Sequence, residues 1–167
     1  LPWLAQLNLS ADKVVENLAA PHWILRCSQP SESRGLTVAA LGLRKFAGVT
    51  QARVDYPMAA LRTLPHSRVI WSSQGLSLKS LAPPGIIVLH RQFMADRATL
   101  QQMERLIRAG WVLVADMDDD PRHWQAYVES DYIAFRFVHA VTVATEPLAA
   151  LMQQWNPNVN FIPNASF

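Results

Sequence analysis

The stretch from Trp111 to Asp120 constrains the fold of this chain more than any other. It begins with five apolar residues in a row, Trp-Val-Leu-Val-Ala, and such a run predicts a strand that is buried on both faces. Strands of that kind belong to parallel sheets that are covered by helices. Pro121 ends the strand, because proline cannot donate a hydrogen bond to a neighbouring strand. The residues just before Pro121 therefore lie at the carboxyl end of a strand, which is where ligands bind in open α/β sheets.

Four carboxylates occupy this strand end: Asp116, Asp118, Asp119 and Asp120. Like charges at this spacing raise the cost of ionising one another unless a cation, a basic side chain or water shares the site. The acids are therefore candidate ligand-binding residues. The alternative interpretation is a solvated acidic turn that caps the next helix.

The composition indicates a single domain with apolar surface to spare. The chain has 167 residues, six of them Trp, and only 17% are charged, against about 25% in a typical soluble domain. We therefore expect one face to meet a partner or a second domain. The net charge of +2 and the lack of a dense Lys/Arg run argue against nucleic acid as a partner.

Other sequence features limit the location and the site chemistry. The single cysteine, Cys27, excludes an internal disulfide and a Cys-rich zinc site. No apolar run approaches the roughly 18 residues of a membrane span, and the amino terminus lacks a signal-peptide pattern. We therefore expect a cytoplasmic protein. Because the chain begins at Leu1 without Met and closes at Phe167 just after a strand, we also expect a segment of a longer protein.

The first third of the chain offers a weak phosphate-binding signal. Residues 1–20 read as a leading helical segment, and His22–Cys27 reads as a first strand. The polar loop that follows contains Arg34 and Gly35, and such a loop can present backbone N–H groups to a phosphate. One glycine falls far short of a Gly-x-Gly-x-x-Gly fingerprint, so an ordinary connecting loop is the alternative.

Helical and strand patterns then alternate along the chain. The apolar run Leu36–Val49, closed by Gly48, predicts a helix. The later elements are a helix over Arg53–Leu64, a strand over Arg68–Ser72, a strand over Gly85–His90, a helix over Asp96–Ala109, one or two helices over Arg122–Val138, a strand over His139–Ala144, a helix capped by Thr145, and a last strand over Val159–Pro163. This alternation predicts an α/β fold with a mostly parallel sheet and helices on both faces.

A right-handed βαβ unit places a second polar pair beside the acids. The strand ending at His90, the helix after it and the strand at Trp111 have the order that such a unit requires. His90 and Arg91 should therefore share the edge that carries Asp116 and its neighbours. A histidine and an arginine beside carboxylates form a candidate site.

The last sixty residues resemble a known enzyme family. A strand ending in acids, then His-Ala-Val-Thr-Val-Ala-Thr-Glu-Pro-Leu from His139, then a strand closing in Ile162-Pro163-Asn164, is similar to the amino-terminal domain of GT-B glycosyltransferases of the polysaccharide or O-antigen type. The helix Arg53-x-x-x-Pro57-x-x-x-Leu61 also looks like an early helix of such enzymes. The resemblance covers about residues 110–166 and is looser before them.

The resemblance implies a Rossmann-like three-layer sandwich that forms the acceptor-side half of a two-domain enzyme. Residues 1–167 would be this single amino-terminal domain, and residues 162–167 would begin the linker to a carboxy-terminal Rossmann domain. That second domain would hold the nucleotide-sugar donor, so no cofactor is expected in this chain. The acceptor would be a glycan or a lipid-linked sugar. Peripheral association with the inner face of the membrane stays open.

The expected chemistry is transfer of a sugar to an acceptor hydroxyl, with a general base on the carboxyl edge. The candidate catalytic residues are Asp118, Asp119 and His90. The candidate substrate-binding residues are Arg34, Gly35, Arg91, Asp116, Asp120, His123 and Thr145, and no metal ligands are proposed. The arginines would orient polar or phosphate groups.

Three other interpretations compete with this one. An Asp-x-Asp run after a buried strand also occurs in GT-A glycosyltransferases and in haloacid-dehalogenase-like phosphatases, where carboxylates hold Mg²⁺ or Mn²⁺. The phosphatase pattern requires Thr or Val soon after the second Asp, where this chain has Asp119-Asp120-Pro121, and the GT-A pattern does not explain the Ile-Pro-Asn ending. The third is a non-enzymatic Rossmann-like binding module.

Overall fold

The structure is a computed structural model that describes residues 35–42, 47–75, 77–78, 81–92 and 96–164. The leading helical segment, the strand predicted over His22–Cys27 and the candidate Arg34 lie outside the described residues. No helix within the described ranges has both the length and the apolar character that crossing a bilayer requires.

Six strands of the described chain form one sheet in which every pairing is parallel. The strands are β1 Leu36–Leu41, β2 Ser67–Ser72, β3 Gly85–His90, β4 Trp111–Met117, β5 Ala140–Val143 and β6 Val159–Phe161. Their order across the sheet is β2-β1-β3-β4-β5-β6. The predicted α/β fold with a parallel sheet is thereby confirmed.

The helices of the described chain fall into two groups. They are α1 Ala47–Thr50, α2 Tyr56–Arg62, α3 Arg97–Arg108, α4 Gln125–Glu129, α5 Ile133–Arg136 and α6 Glu146–Met152. A π-helical turn over Gln51–Asp55 joins α1 to α2, and a 3-10 turn over Pro121–His123 precedes α4. Thus α1 and α2 belong to the connection from β1 to β2, whereas the others connect β3 through to β6.

The helix predicted over Leu36–Val49 is wrong for its first half, because Leu36–Leu41 forms strand β1 between β2 and β3. Val38, Ala39 and Ala40 are all buried in succession. Consecutive burial means that both faces of β1 are covered, and a short apolar run in that setting does not alternate with polar residues. Among the described residues of this region, the helical part covers Ala47–Thr50, so Gly48 lies inside a helix and does not end it.

The two faces of the sheet pack against different helices. On one face, Val38 and Ala40 of β1 pack with Val54 and Met58 from the helical stretch between β1 and β2. On the other face, Ala39 of β1 belongs to a larger cluster, and residues of α3, α5 and α6 also contribute to that cluster. Side chains alternate between the faces along each strand, so this division confirms the predicted helices on both faces.

Side-chain caps mark the starts of two helices of the second group, α3 and α6. The Asp96 carboxylate accepts the Thr99 backbone N–H at 3.0 Å at the start of α3. The Thr145 hydroxyl accepts the Leu148 N–H at 3.3 Å at the start of α6. Such caps satisfy N–H groups that have no partner within the helix.

Candidate functional site

The carboxyl edge of the sheet brings together the residues that the βαβ unit predicts there. In the parallel register of β3 and β4, His90 lies opposite Asp116. In the register of β4 and β5, Asp116 lies opposite Thr142. Three neighbouring strands therefore place polar side chains at the same edge of the sheet. Because side chains alternate between the two faces along a strand, all three lie on the face that packs against the helical stretch between β1 and β2.

Asp116 is the centre of this group, which we call the Asp116 cluster: Arg53, His90, Asp116 and Thr142. The Nε atom of Arg53 donates to Asp116 Oδ2 at 3.1 Å, and a second guanidinium nitrogen, Nη2, donates to Oδ1. His90 Nδ1 lies 2.8 Å from Oδ2, and the Thr142 hydroxyl donates to Oδ1. The Asp116 and Arg53 side chains are each only 4% exposed, and the His90 side chain is fully buried.

The Asp116 cluster keeps its carboxyl group ionised. Burial by itself raises the pKa of Asp116, but hydrogen bonds from His90 and Arg53, the Arg53 charge and the Thr142 hydroxyl together lower it below its usual range. An ionised carboxylate can only accept hydrogen bonds. His90 Nδ1 must therefore carry the proton of the hydrogen bond to Asp116, which assigns the tautomer from its partner.

The other ring nitrogen of His90 is the unusual atom of the site. His90 Nε2 is buried and has no hydrogen-bond partner within the described part of the chain. Buried polar atoms are nearly always hydrogen-bonded, so each exception calls for an explanation such as a ligand or a catalytic role.

His90 lies at the crevice that the strand order creates. In the described sheet, β1 leads to β2 on one side, while β3 and the later strands lie on the other side. The carboxyl ends of β1 and β3 therefore flank a topological switch point, where open α/β sheets bind ligands. His90 ends β3, and Gly42 follows the end of β1.

A second group, the Arg91 cluster, lies beside the first: Arg91, Asp118, Asp119 and Trp124. The Arg91 Nε donates to Asp118, its Nη2 lies 2.7 Å from an Asp119 oxygen, and its guanidinium carbon lies 5.5 Å from the centre of the Trp124 ring. Burial works to lower the pKa of Arg91, but the hydrogen bond and charge of Asp118 and the charge of Asp119 raise it overall. Asp118 is thus already paired with a cation, while Asp119 is 52% exposed.

The backbone of Arg91 adopts a conformation that side chains other than glycine rarely tolerate. Its φ angle is +52°, in the left-handed region. Its N–H donates to the Asp116 carbonyl at 3.0 Å, so this turn carries the end of β3 over to β4. Such conformations cost of order 1–3 kcal/mol and concentrate at functional sites.

Tyr127 supports the Arg91 cluster from the core. Its ring stacks on Trp124 with centroids 5.7 Å apart, and its hydroxyl donates to the Gln92 carbonyl at 3.3 Å. Burial raises the pKa of Tyr127 well above its ordinary value, so it stays a neutral phenol. We assign it a packing role.

The remaining candidate residues are not part of either cluster. Asp120 accepts the Arg122 N–H at 2.9 Å and pairs with the Arg122 guanidinium at 2.6 Å, and this hydrogen bonding lowers the pKa of Asp120. It therefore caps a 3-10 turn, and the neighbouring His123 is exposed. Thr145 caps α6.

Gly35 lies on the opposite edge from both clusters. It directly precedes β1, so it belongs to the amino edge of the parallel sheet. A β-carbon there would lie 1.7 Å from the His66 carbonyl oxygen, so close backbone approach explains the glycine. Gly35 therefore does not share the carboxyl edge with the four acids.

Sequence reasoning missed two members of the Asp116 cluster. Thr142 could have been found, because Val141 and Val143 predict which face of β5 is buried, and the intervening residue then shares the face of Asp116. Arg53 gave no such signal, since arginines on helices mostly face water.

Each of the four acids has an arginine partner in the structure. Asp116 pairs with Arg53, Asp118 and Asp119 pair with Arg91, and Asp120 pairs with Arg122. Among the residues that the structure describes, no group of three or more His, Cys, Asp or Glu side chains is arranged to hold a metal ion.

Comparisons with protein-family models, with curated proteins and with solved structures find no match to this chain. Function is therefore inferred from the residues of the carboxyl edge.

Proposed function

We propose that this chain is the acceptor-side, amino-terminal domain of a GT-B glycosyltransferase. Joined to a carboxy-terminal domain that binds a nucleotide-sugar, it would present a glycan or lipid-linked acceptor to the donor. The observation that carries the proposal is the buried His90–Asp116 pair at the switch point, with its Nε2 atom unpartnered among the described residues. The same cluster also contacts the Ile162-Pro163-Asn164 segment on which the family resemblance rests.

Within this proposal, His90 is a better general base than Asp118 or Asp119. Both acids bind the Arg91 guanidinium, so one carboxylate oxygen of each is already engaged in an ion pair. His90 is oriented by an ionised carboxylate through Nδ1, which leaves the Nε2 lone pair for a substrate.

In the proposed transfer one bond forms, one bond breaks and one proton moves. The acceptor hydroxyl gives its proton to His90 Nε2, and its oxygen forms a bond to the anomeric carbon of the donor sugar. The bond from that carbon to the phosphate oxygen breaks, and the nucleoside diphosphate leaves with the electron pair. The imidazolium that forms lies against the Asp116 carboxylate, which stabilises it. Because His90 is fully buried, the side chains that cover it must move when the acceptor binds.

Asp119 and Arg91 have a different part in the proposal. Asp119 is half-exposed and keeps accepting capacity beside its ion pair, so it would accept hydrogen bonds from acceptor hydroxyls. Arg91, held by two carboxylates and packed on Trp124, fixes the position of Asp119. These contacts would orient the acceptor and would not transfer its proton.

The test is acceptor-dependent release of nucleoside diphosphate by the full-length protein, supplied with a panel of nucleotide-sugars and lipid-linked sugar acceptors. Replacing His90 with Ala or Gln should lower kcat by about 10²–10⁴-fold, the contribution of a general base. His123→Ala is the control, because His123 lies in the turn after β4, is exposed and belongs to neither cluster, and its kcat should stay within about twofold of wild type. Failure of every donor to give acceptor-dependent release would sink the proposal.

The metal-dependent Asp-x-Asp alternatives make an opposite prediction. They require carboxylates that are free to bind a divalent cation, whereas here each acid binds an arginine. Transfer that survives a chelator would support the GT-B proposal. Transfer that depends on Mg²⁺ or Mn²⁺ and is abolished by Asp118→Asn would support the alternatives.

A further inference from the structure

Arg53 makes contacts in two directions from one guanidinium. Two of its nitrogens bind the two oxygens of Asp116, and the third nitrogen, Nη1, donates to the Ile162 carbonyl and lies 3.5 Å from Asn164 Oδ1. The guanidinium is planar and rigid, so its orientation toward one partner fixes its orientation toward the other. Arg53 also lies in the π-helical turn, a local geometry that is frequent at functional sites.

The segment Ile162–Asn164 that Arg53 binds is exposed and follows the last strand. The Ile162 N–H donates to the Val143 carbonyl at 2.8 Å, so the segment starts in line with the sheet. Its three residues are exposed in the structure. Beyond that first bond, the hydrogen bonds between this segment and the rest of the described chain come from Arg53.

Charge compensation alone does not account for this arrangement. Asp116 already receives two guanidinium hydrogen bonds, one imidazole hydrogen bond and one hydroxyl hydrogen bond. A structural ion pair would be complete without any contact to an exposed segment. The third guanidinium nitrogen instead joins that segment to the one buried carboxylate that orients His90.

We propose that Arg53 is a positioning residue that couples the Ile162–Asn164 segment to His90 through Asp116. When the segment moves, the guanidinium turns with it, and the hydrogen bonds at Asp116 rearrange. The His90 ring, which is held by the same carboxylate, then changes its orientation. In the proposed two-domain enzyme this segment leads toward the second domain, so His90 would respond to the relative position of the domains.

Two variants perturb the coupling from opposite ends. Arg53→Lys keeps the positive charge but loses the planar fork, so it cannot hold Asp116 and the segment at once. Pro163→Gly loosens the segment and leaves every member of the Asp116 cluster in place. Arg62→Lys is the matched control, because Arg62 lies on the same helical stretch but is exposed and its described contact is with the Trp71 ring, at 5.9 Å.

The readouts are amide hydrogen exchange at Ile162 and the ¹⁵N signals of the His90 ring, both measured by NMR. Arg53→Lys removes the hydrogen bond to the Ile162 carbonyl, so the opening that frees the Ile162 N–H from Val143 should cost less, and exchange of this N–H should speed up on the order of tenfold. It should also shift the His90 ring signals. Pro163→Gly should shift the same ring signals from a distance, and Arg62→Lys should change neither readout.

Uncoupled responses would overturn the proposal. If Pro163→Gly speeds exchange at Ile162 while the His90 signals keep their wild-type positions, the segment and the histidine are independent. The same conclusion follows if Arg53→Lys frees Ile162 without any change at His90. Should Arg53→Lys fail to fold, Pro163→Gly decides alone.

The coupling rests on the proposed function only for its biological meaning. Neither NMR readout needs a donor or an acceptor sugar. If both readouts change together but the full-length protein transfers no sugar, the coupling through Arg53 stands and the proposed function fails. If the protein transfers sugar but Ile162 and His90 respond independently, the proposed function stands and the coupling fails.

Discussion

Replacing Asp116 with Asn removes the charge that Arg53 and His90 share, and it tests whether the Asp116 cluster is energetically important. The two side chains of the Arg53–Asp116 pair are each 4% exposed. Removing one partner of a buried ion pair leaves the other charge uncompensated and costs about 3–5 kcal/mol in the free energy of unfolding. This is a large part of the roughly 5–15 kcal/mol that stabilises a typical domain.

The assay is urea denaturation followed by tryptophan fluorescence, for which the chain offers six tryptophans. With an m value of about 2 kcal/mol/M, the midpoint for Asp116→Asn should fall by about 1.5–2.5 M urea. Glu104→Gln is the matched control, because Glu104 pairs with Arg108 on the surface of α3, where the side chains are 38% and 60% exposed. That pair should contribute about 0.5 kcal/mol or less.

A pH series and a double variant sharpen this test. The folded-state pKa of Asp116 is below its ordinary value of 3.8. The stability that the ionised carboxylate contributes is therefore fully present above pH 3.8 and is lost as the pH falls through the lower folded-state pKa. Asp116→Asn should remove that dependence. The double variant Asp116→Asn/Arg53→Gln should lose less free energy of unfolding than the two single variants together, because it leaves neither charge of this pair buried without its partner. A loss for Asp116→Asn below about 1 kcal/mol, or strict additivity, would refute the buried-pair reasoning.

Three further changes test other parts of the structure. Burial lowers the pKa of His139, whose Nδ1 accepts the Leu113 N–H. The free energy of unfolding should therefore fall as the pH drops through the ordinary histidine pKa of 6.5. His139→Gln should flatten that dependence in denaturation curves recorded from about pH 7 to about pH 5. Thr145→Ala should lower the free energy of unfolding by about 1 kcal/mol by removing the cap on the Leu148 N–H, and calorimetry should show this loss. Tyr127→Phe should cost about 0.5–1.5 kcal/mol in urea denaturation through one lost hydrogen bond, and a stability equal to wild type would show that this bond contributes nothing.

The sequence predicted those parts of the fold in which local pattern and burial agree. Helix α3 has apolar residues at helical spacing, an Asp96 cap and a terminal Gly110 with φ of +98°, and it forms as predicted. The strands that flank it, β3 and β4, are continuous apolar runs that end in polar residues. Their parallel pairing then brings His90 to Asp116.

Strand β1 shows where pattern reasoning fails. Leu-Thr-Val-Ala-Ala-Leu is too short and too uniformly apolar for periodicity to separate a strand from a buried helix. Its position between β2 and β3 decides the matter, and that information lies in residues far along the chain. Tertiary context overrides local preference here.

The Asp116 cluster shows the corresponding limit for the site. The acids and His90 were predicted from their positions at strand ends, but their pairing with cations was not. Arg53 lies 63 positions before Asp116 in the chain. A helical stretch places it beside Asp116, and the sequence does not specify how that stretch is rotated about its axis. The same limit applies to Asp118, a candidate base in the sequence, which binds Arg91 in the structure.

The strand order also has a consequence for how the chain folds. Strands β3, β4, β5 and β6 are neighbours both in sequence and in the sheet, whereas β1 must pair with β3 across the whole of β2 and its connections. Closing a longer loop costs more entropy before any contact forms, so pairings between distant segments form late. We expect pulse-labelled hydrogen exchange to protect the amides of β4 and β5 before those of β1. The edge between β1 and β3, where His90 lies, would then be the last part of the sheet to assemble during folding.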